Sequence, residues 1–263
     1  MIPPVTWKSE MEADEYVVHY EKRYAAFIDI LGFSELVRSF SEHQECGNCQ
    51  KCAVCLGTEK QRSEARAGKI EALVSVLRSA LRITSEDAEY VNLIATDIQT
   101  SCFSDCIFIS GRSDPVDLHY VLEITARVCR SLLSHGYMTR GAVAAGPLYH
   151  SGGVVMGQGL ITAYDLERKY ANYPRILIAP DCLALVKEMS RARIEEDFDG
   201  VHYLNYLSQE AEPKEVLVLD KIRRVLEEQL SHKDIGVRAK TRWMAALFNN
   251  HAHIHRAEKL DLS

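Results

Sequence analysis

Apolar positions along the chain follow two rhythms, one of period two and one of period 3.6, and the changes from one to the other mark out its elements. Arg23 to Ile30 is an apolar, β-branched run that stops just before Gly32, which predicts a buried strand; from Ser34 on, Leu36, Val37 and Phe40 share one side of a predicted helix. Lys69 to Leu81 has helical spacing again, through Ile70, Leu73, Val74, Leu77 and Leu81. Tyr90 to Ile94 and Ile98 to Phe103 read as strand, and Cys106 to Ser110 as another, with only Ser104-Asp105 between the last two: a tight hairpin with an acid at its tip. Asp114 to His135 predicts a long amphipathic helix, opened by Asp114-Pro115 and ended near Gly136. Arg140 to Leu148 is a strand of small residues whose lack of bulk predicts close backbone contact with a ligand or another chain. After the turn at Ser151-Gly152-Gly153 come a short run, Val154 to Met156, a helix from Leu160 to about Ala171, a strand from Arg175 to Ala179, a helix from Asp181 to Met189 and a hairpin within Ile194 to Leu204. From Pro213 to Leu262 the chain reads as helical and charged, with Trp243, Leu247 and Phe248 as its apolar stripe and a capping or dimer-bracing role.

The order strand, helix, hairpin, helix, strand, helix, strand predicts an α+β, ferredoxin-like domain: an antiparallel sheet with helices on one face. Residues 1–20 form a polar leader, 21–205 the domain itself with a cysteine-rich insertion at 41–68, and 206–263 a C-terminal helical extension.

Composition narrows the partners. With 263 residues, 47% of them hydrophobic, the chain can bury one large core, and a net charge of -6 argues against binding along a nucleic-acid backbone. No N-terminal run has signal-peptide character and no apolar run approaches the roughly 18 residues of a membrane span, so the expectation is a cytoplasmic protein without membrane insertion. Four of the eight cysteines, Cys46, Cys49, Cys52 and Cys55, stand at a strict three-residue spacing. They could wrap zinc or form part of an iron–sulfur run, but the second knuckle and the terminal proline of such sites are missing, which leaves a redox-vulnerable loop as the other reading. Cys102, Cys106, Cys129 and Cys182 are read as small buried hydrophobes.

The candidate chemistry starts at Asp29. Between Ile28 and Ile30 its carboxylate sits beside a core and stays ionised only with a partner, most naturally a cation. Gly32 permits a tight turn and close approach of a ligand, Phe33 follows, and Ser34 can cap a helix whose first N–H groups point outward. An acid for a metal next to a helix N-terminus for phosphate is a handle for a nucleoside triphosphate; a structural cap is the alternative. Asp105 supplies a second carboxylate, and two carboxylates can hold two Mg²⁺ or Mn²⁺ ions about 4 Å apart. His251, His253 and His255 cluster without an acid or cysteine to complete a site and are read as solvent-facing. Tyr164 could edge a base pocket or simply pack.

With both acids located, the sequence resembles the class III nucleotidyl cyclases. Phe27-Ile-Asp29-Ile-Leu-Gly32-Phe33-Ser34 matches that family's strand-to-helix metal motif, Phe103-Ser-Asp105-Cys-Ile107 its hairpin-tip aspartate, and Arg140-Gly141 its triphosphate-binding arginine, together spanning about Tyr24 to Ala179. The resemblance implies metal ligands Asp29, Ile30 and Asp105, and a homodimer with shared sites. Phe103 to Ser110, Ala163-Tyr-Asp-Leu-Glu167 and Lys240-Thr-Arg-Trp243 look more like the bacterial Pycsar pyrimidine cyclases, antiphage enzymes making cyclic UMP or cyclic CMP. That resemblance implies UTP or CTP as substrate, with UTP favoured, and a separate cyclic-nucleotide-binding effector that reads the product. Adenylate and guanylate cyclases place a purine-reading Lys or Glu where this chain has Ser101, and an Asn and Arg where it has Ile161 and Asp165. Arg168 or Lys169 then stand in for the missing arginine. An adenylate or guanylate cyclase, or a catalytically silent nucleotide sensor, is the alternative.

Overall fold

The computed structural model describes residues 19–41, 67–68, 70–79, 82, 96–188, 193–207, 213–252 and 258–262. Its strands are β1 (Glu21–Ile30), β2 (Gln99–Phe103), β3 (Cys106–Arg112), β4 (Thr139–Ser151), β5 (Val154–Gly157), β6 (Ile176–Ile178), β7 (Ile194–Glu196) and β8 (His202–Leu204). We label six helices α1 (Phe33–Ser41), α2 (Pro115–Leu133), α3 (Gln158–Tyr170), α4 (Pro180–Glu188), α5 (Pro213–Leu230) and α6 (Ile235–His251). Residues 70–79 are helical too, whereas the expected strand at Tyr90 to Ile94, the Cys46–Cys55 segment, His253 and His255 lie outside the described residues.

From Tyr24 to Ile28 β1 is an unbroken apolar run, because both of its faces are covered there. Tyr24, Ala26, Ile28 and Ile30 point one way and Ala25, Phe27 and Asp29 the other, and Ile28 is fully buried. It lies at the centre of the sheet, antiparallel to both β3 and β4. The strand order is β2-β3-β1-β4-β6-β8-β7, with β5 folded back on β4. Its first four members have the ferredoxin-like arrangement expected from the sequence, and the α+β class holds.

Two details differ from expectation. The sheet is not antiparallel throughout: β4 and β6 run parallel, Gly141 opposite Ile176, because the connection returns through α3 and restores the chain direction. Helices also cover both faces. A side chain at Gly111, on the Ile107–Ile109 face, would strike Asp117 and Val121 of α2. α3 lies across the opposite face, where Tyr164 meets Phe27 edge to face at 5.6 Å. The small-residue strand explains this second layer. A Cβ at Gly146 would stand 2.7 Å from the Gly159 nitrogen, so the close contact expected with a ligand or another chain is made with the chain's own α3.

α2 is capped as its sequence predicts: the Asp114 carboxylate accepts from Val116 N at 3.0 Å and Asp117 N at 2.9 Å, with Pro115 in the first turn. α1 begins at Phe33, one residue before Ser34, because Gly32 turns the chain with a φ of 77°. Ser34 therefore sits inside the first turn and not at the cap. The chain from Pro213 is not helical to Leu262: α6 ends at His251, and Leu260 is held by the Asn249 side chain, which donates to its carbonyl at 2.9 Å and accepts from its N–H at 2.7 Å. Met244 and Phe248 of α6 are fully buried, and Trp243 donates to Asp197 at 3.1 Å, next to the buried ion pairs of Arg175 with Asp197 and Asp199. His251 is not solvent-facing as read from sequence: it approaches Glu195 at 3.2 Å and bonds the Leu247 carbonyl at 3.0 Å. No helix among the described residues is long and apolar enough to cross a membrane.

Candidate active site

The β2–β3 hairpin turns on two residues, Ser104 and Asp105, with Phe103 paired to Cys106. Ser104 takes a φ of 57°, a left-handed conformation that costs a serine on the order of 1 kcal/mol. That turn sets the Asp105 carbonyl to accept from Ile30 N at 3.1 Å, while Leu31 N donates to the Met138 carbonyl at 2.9 Å. Three segments far apart in sequence are thus tied at the end of β1. Asp29, Asp105 and Cys106 come together there, each offering one ligand atom within 4.8 Å of the others.

Arg140 stands directly opposite Asp29 in the β1–β4 register, and its Nε donates to Asp29 Oδ2 at 3.0 Å. The same Nε lies 2.6 Å from Glu167 Oε1 on α3. Its proton points at Asp29, however, so the buried Glu167 Oε1 has no hydrogen-bond partner. Burial raises the Asp29 carboxyl above its ordinary range; Arg140 pulls it down and the Asp105 charge raises it again. Glu167 is likewise raised by burial, with Arg140 opposing and Asp29 adding to the shift. The Cys106 thiol is pushed up to about 12, first by burial and then by Asp105, Asp29 and Glu167, so it stays protonated next to the acids.

The raised proton affinities of Asp29 and Glu167, with an orphaned buried oxygen on Glu167, make a centre short of positive charge. Their hard oxygen donors fit Mg²⁺ or Mn²⁺, whereas a neutral thiol adds little to either ion. Ile30 is 2% exposed and has only its main chain to offer.

The sequence-predicted residues fall into three groups. Asp29, Asp105 and Arg140 meet. Gly32, Phe33 and Ser34 follow directly as the turn and first turn of α1. Ser101 is set back from the hairpin tip on β2, paired with Phe108 and hydrogen-bonded to His150 at 2.8 Å. Tyr164 packs on Phe27 and is 45% exposed as a residue. Arg168 and Lys169 are exposed near the end of α3, and Lys169 pairs with its own Asp165 at 3.4 Å. Sequence reasoning missed Glu167, Cys106 and His150. Glu167 carried a weak signal, an acid four residues after Ala163 on the buried side of a helix; His150 carried one only through its even spacing from Arg140 along β4.

The sequence matches no protein-family model and no curated protein. Among solved structures the chain is similar to the adenylyl cyclase CyaB from P. aeruginosa, with 17% identity and a TM-score of 0.43 over 71% of this chain and 95% of that one. It is similar also to a bacterial light-regulated adenylyl cyclase, at 12% identity and a TM-score of 0.43 over 79% of this chain and 58% of that one. A third is the guanylyl cyclase Cya2, at 13% and 0.36 over 71% of this chain and 92% of that one. At these values the likeness is coarse, and what the site can do is read from its own residues.

Proposed function

We propose that the chain is a nucleotidyl cyclase of the class III type, converting a pyrimidine nucleoside triphosphate, UTP ahead of CTP, to its 3′,5′-cyclic monophosphate and pyrophosphate. The observation that carries this reading is the meeting of Asp29, Asp105 and Arg140 at the end of the central strand, beside the N-terminus of α1. Asp29, Asp105 and the main chain of Ile30 would hold two Mg²⁺ or Mn²⁺ ions, which when bound would supply the charge that activates the ribose 3′-hydroxyl and clamps the triphosphate. Arg140 exchanges Asp29 for triphosphate oxygens, and the Gly32 turn with the first N–H groups of α1 faces the same anion. The 3′-oxygen bonds to the α-phosphorus in line with the departing pyrophosphate, and water carries off the hydroxyl proton.

Arg168 and Lys169 are exposed near the end of α3, and the α-phosphate of one subunit takes its cation from the Arg168 or Lys169 of a second copy. Ile161 and Tyr164, both exposed on α3, offer apolar surface for that copy. A small serine at position 101 supports a pyrimidine, since no long side chain stands there to read a purine. In the Pycsar setting the product is a messenger of antiphage defence, read by a separate cyclic-nucleotide-binding effector.

Incubation with all four nucleoside triphosphates and Mn²⁺, read by mass spectrometry against the Asp29→Asn variant, tests this. Cyclic UMP or cyclic CMP from the wild type alone is the expected result. Cyclic AMP or cyclic GMP as the main product replaces the substrate with a purine, and tight nucleotide binding without any product replaces the enzyme with a sensor.

A further inference from the structure

One buried carboxylate beside the acids has no part in the reaction above. The buried face of α3 is formed by Gly159, Ala163 and Glu167, four residues apart, so two small residues let the helix lie against β4 and the third position delivers a carboxylate to Arg140. Glu167 is 3% exposed and stands in the last turn of α3, where the free carbonyls of a helix disfavour negative charge. Its Oε1 lies 2.6 Å from Arg140 Nε, yet among the described residues it accepts no hydrogen bond, because the single Nε proton is directed at Asp29 Oδ2, 3.0 Å away. Burial works against an ionised Glu167, and the charge of Arg140 works for it.

Two carboxylates thus contend for one proton, and they reach it from different elements. Asp29 comes from β1, directly opposite Arg140 in the strand register. Glu167 comes from α3, which cannot draw closer to β4, since a Cβ at Gly146 would stand 2.7 Å from Gly159 N. Asp29 has other calls on it at the hairpin tip, where it meets Asp105 and Cys106. Once Asp29 is committed to a divalent cation, the Nε proton has Glu167 as its next acceptor, reached by a small rotation of the guanidinium. Both contacts use Nε, so the two terminal nitrogens are left for an outside anion whichever acid holds it.

We infer that Glu167 is a positioning residue that takes over Arg140 Nε when Asp29 turns to a divalent cation, so that the arginine stays aimed at the triphosphate and does not compete with the metal for Asp29. This rests on the nucleotidyl cyclase reading of the acids. It makes cation binding at Asp29 and anion binding at Arg140 favour each other through one guanidinium. Without Glu167 the Nε proton has Asp29 as its acceptor, and a cation must first break a charge-assisted hydrogen bond, which weakens its binding by about tenfold or more.

Nitrogen–proton NMR of the full chain follows the Arg140 Nε proton, assigned by its loss in Arg140→Lys, while Mg²⁺ alone is added to saturation. In the wild type this proton is shielded from exchange with water both before and after Mg²⁺ is added. In Glu167→Leu it is shielded before, and afterwards exchanges about tenfold faster or more, while calorimetry shows Mg²⁺ bound more weakly by a similar factor. Glu167→Gln keeps the shape and one acceptor oxygen; it shows a smaller change in the same direction, and it carries the test if the leucine variant does not fold. Wild-type shielding in the Mg²⁺-loaded Glu167 variants, or shielding lost when Mg²⁺ is added to the wild type, overturns the inference and leaves the metal assignment standing. Transfer of the proton to Glu167 in a chain that cyclises no nucleotide keeps the inference and ends the cyclase reading. Mg²⁺ binding that Asp29→Asn does not weaken, or no Mg²⁺ binding at all, overturns both.

Discussion

Asp29 does two jobs in the structure: it answers Arg140 across the sheet and faces Asp105 across a hairpin tip. Replacing Asp29 or Asp105 with alanine removes half of a shared cation site, and each variant is expected to lose cyclisation by about 100-fold or more while its thermal unfolding stays cooperative. Arg140→Ala acts mainly on the affinity for the triphosphate, seen as a raised KM. His150 gives a stability prediction. Its folded-state value of about 4 lies below the ordinary 6.5, so its contribution is complete above pH 6.5 and is lost as the pH falls toward 4. Urea unfolding across that window should show stability dropping by roughly 3 kcal/mol, and His150→Gln should flatten the drop. The acids and Arg140 were legible because their neighbours in sequence, an apolar run, a two-residue turn and a glycine, announce special positions. Glu167 and His150 carried only a faint periodic signal, because each matters through a side chain more than 25 residues away and spacing along one element does not name that partner.

At the scale of elements, β4 and α3 depend on each other. Gly146 and Gly159 let strand and helix backbones touch, and α3 brings Glu167 to Arg140 and Tyr164 to Phe27. Gly146→Val forces the two apart, and we expect about 1–3 kcal/mol of lost stability in urea unfolding, together with an activity loss larger than the unfolded fraction explains. The sequence marked this strand as a place of close approach but not its neighbour, since small residues show how near something comes and not what it is. The same gap accounts for the two departures in the sheet. The apolar stretch of β1 from Tyr24 to Ile28 announces cover on both faces without saying which helix supplies each. The parallel joint at β4 and β6 depends on where a short, three-residue strand lands after a long crossover.

At the scale of the whole molecule, the proposed shared site predicts that two defective chains can repair each other. Mixing an Asp29→Ala subunit with one carrying Arg168→Ala and Lys169→Ala restores part of the lost activity if the acids come from one copy and the cations from the other. Failure of rescue in mixtures shown to be heterodimers removes Arg168 and Lys169 from the site, and full activity of a monomer at low protein concentration removes the shared site altogether. The C-terminal stripe of Trp243, Leu247 and Phe248 was legible as an apolar face, but its seat was not. Trp243 is fixed by an aspartate 46 residues earlier and by stacking on Tyr173, a pairing that only the folded chain reveals.

The central place of β1 has a further consequence, for synthesis. The strand emerges before either of its partners: one edge waits for Cys106 to Arg112 and the other for Thr139 to Ser151, with Asp29 and Arg140 separated by 111 positions. Until the ribosome has released that second partner, the nascent chain carries an apolar strand with an unpaired edge, open to pairing with another chain. Nascent chains stalled before Ser151 are therefore the species most in need of a chaperone, and refolding from denaturant should give its best yield at high dilution.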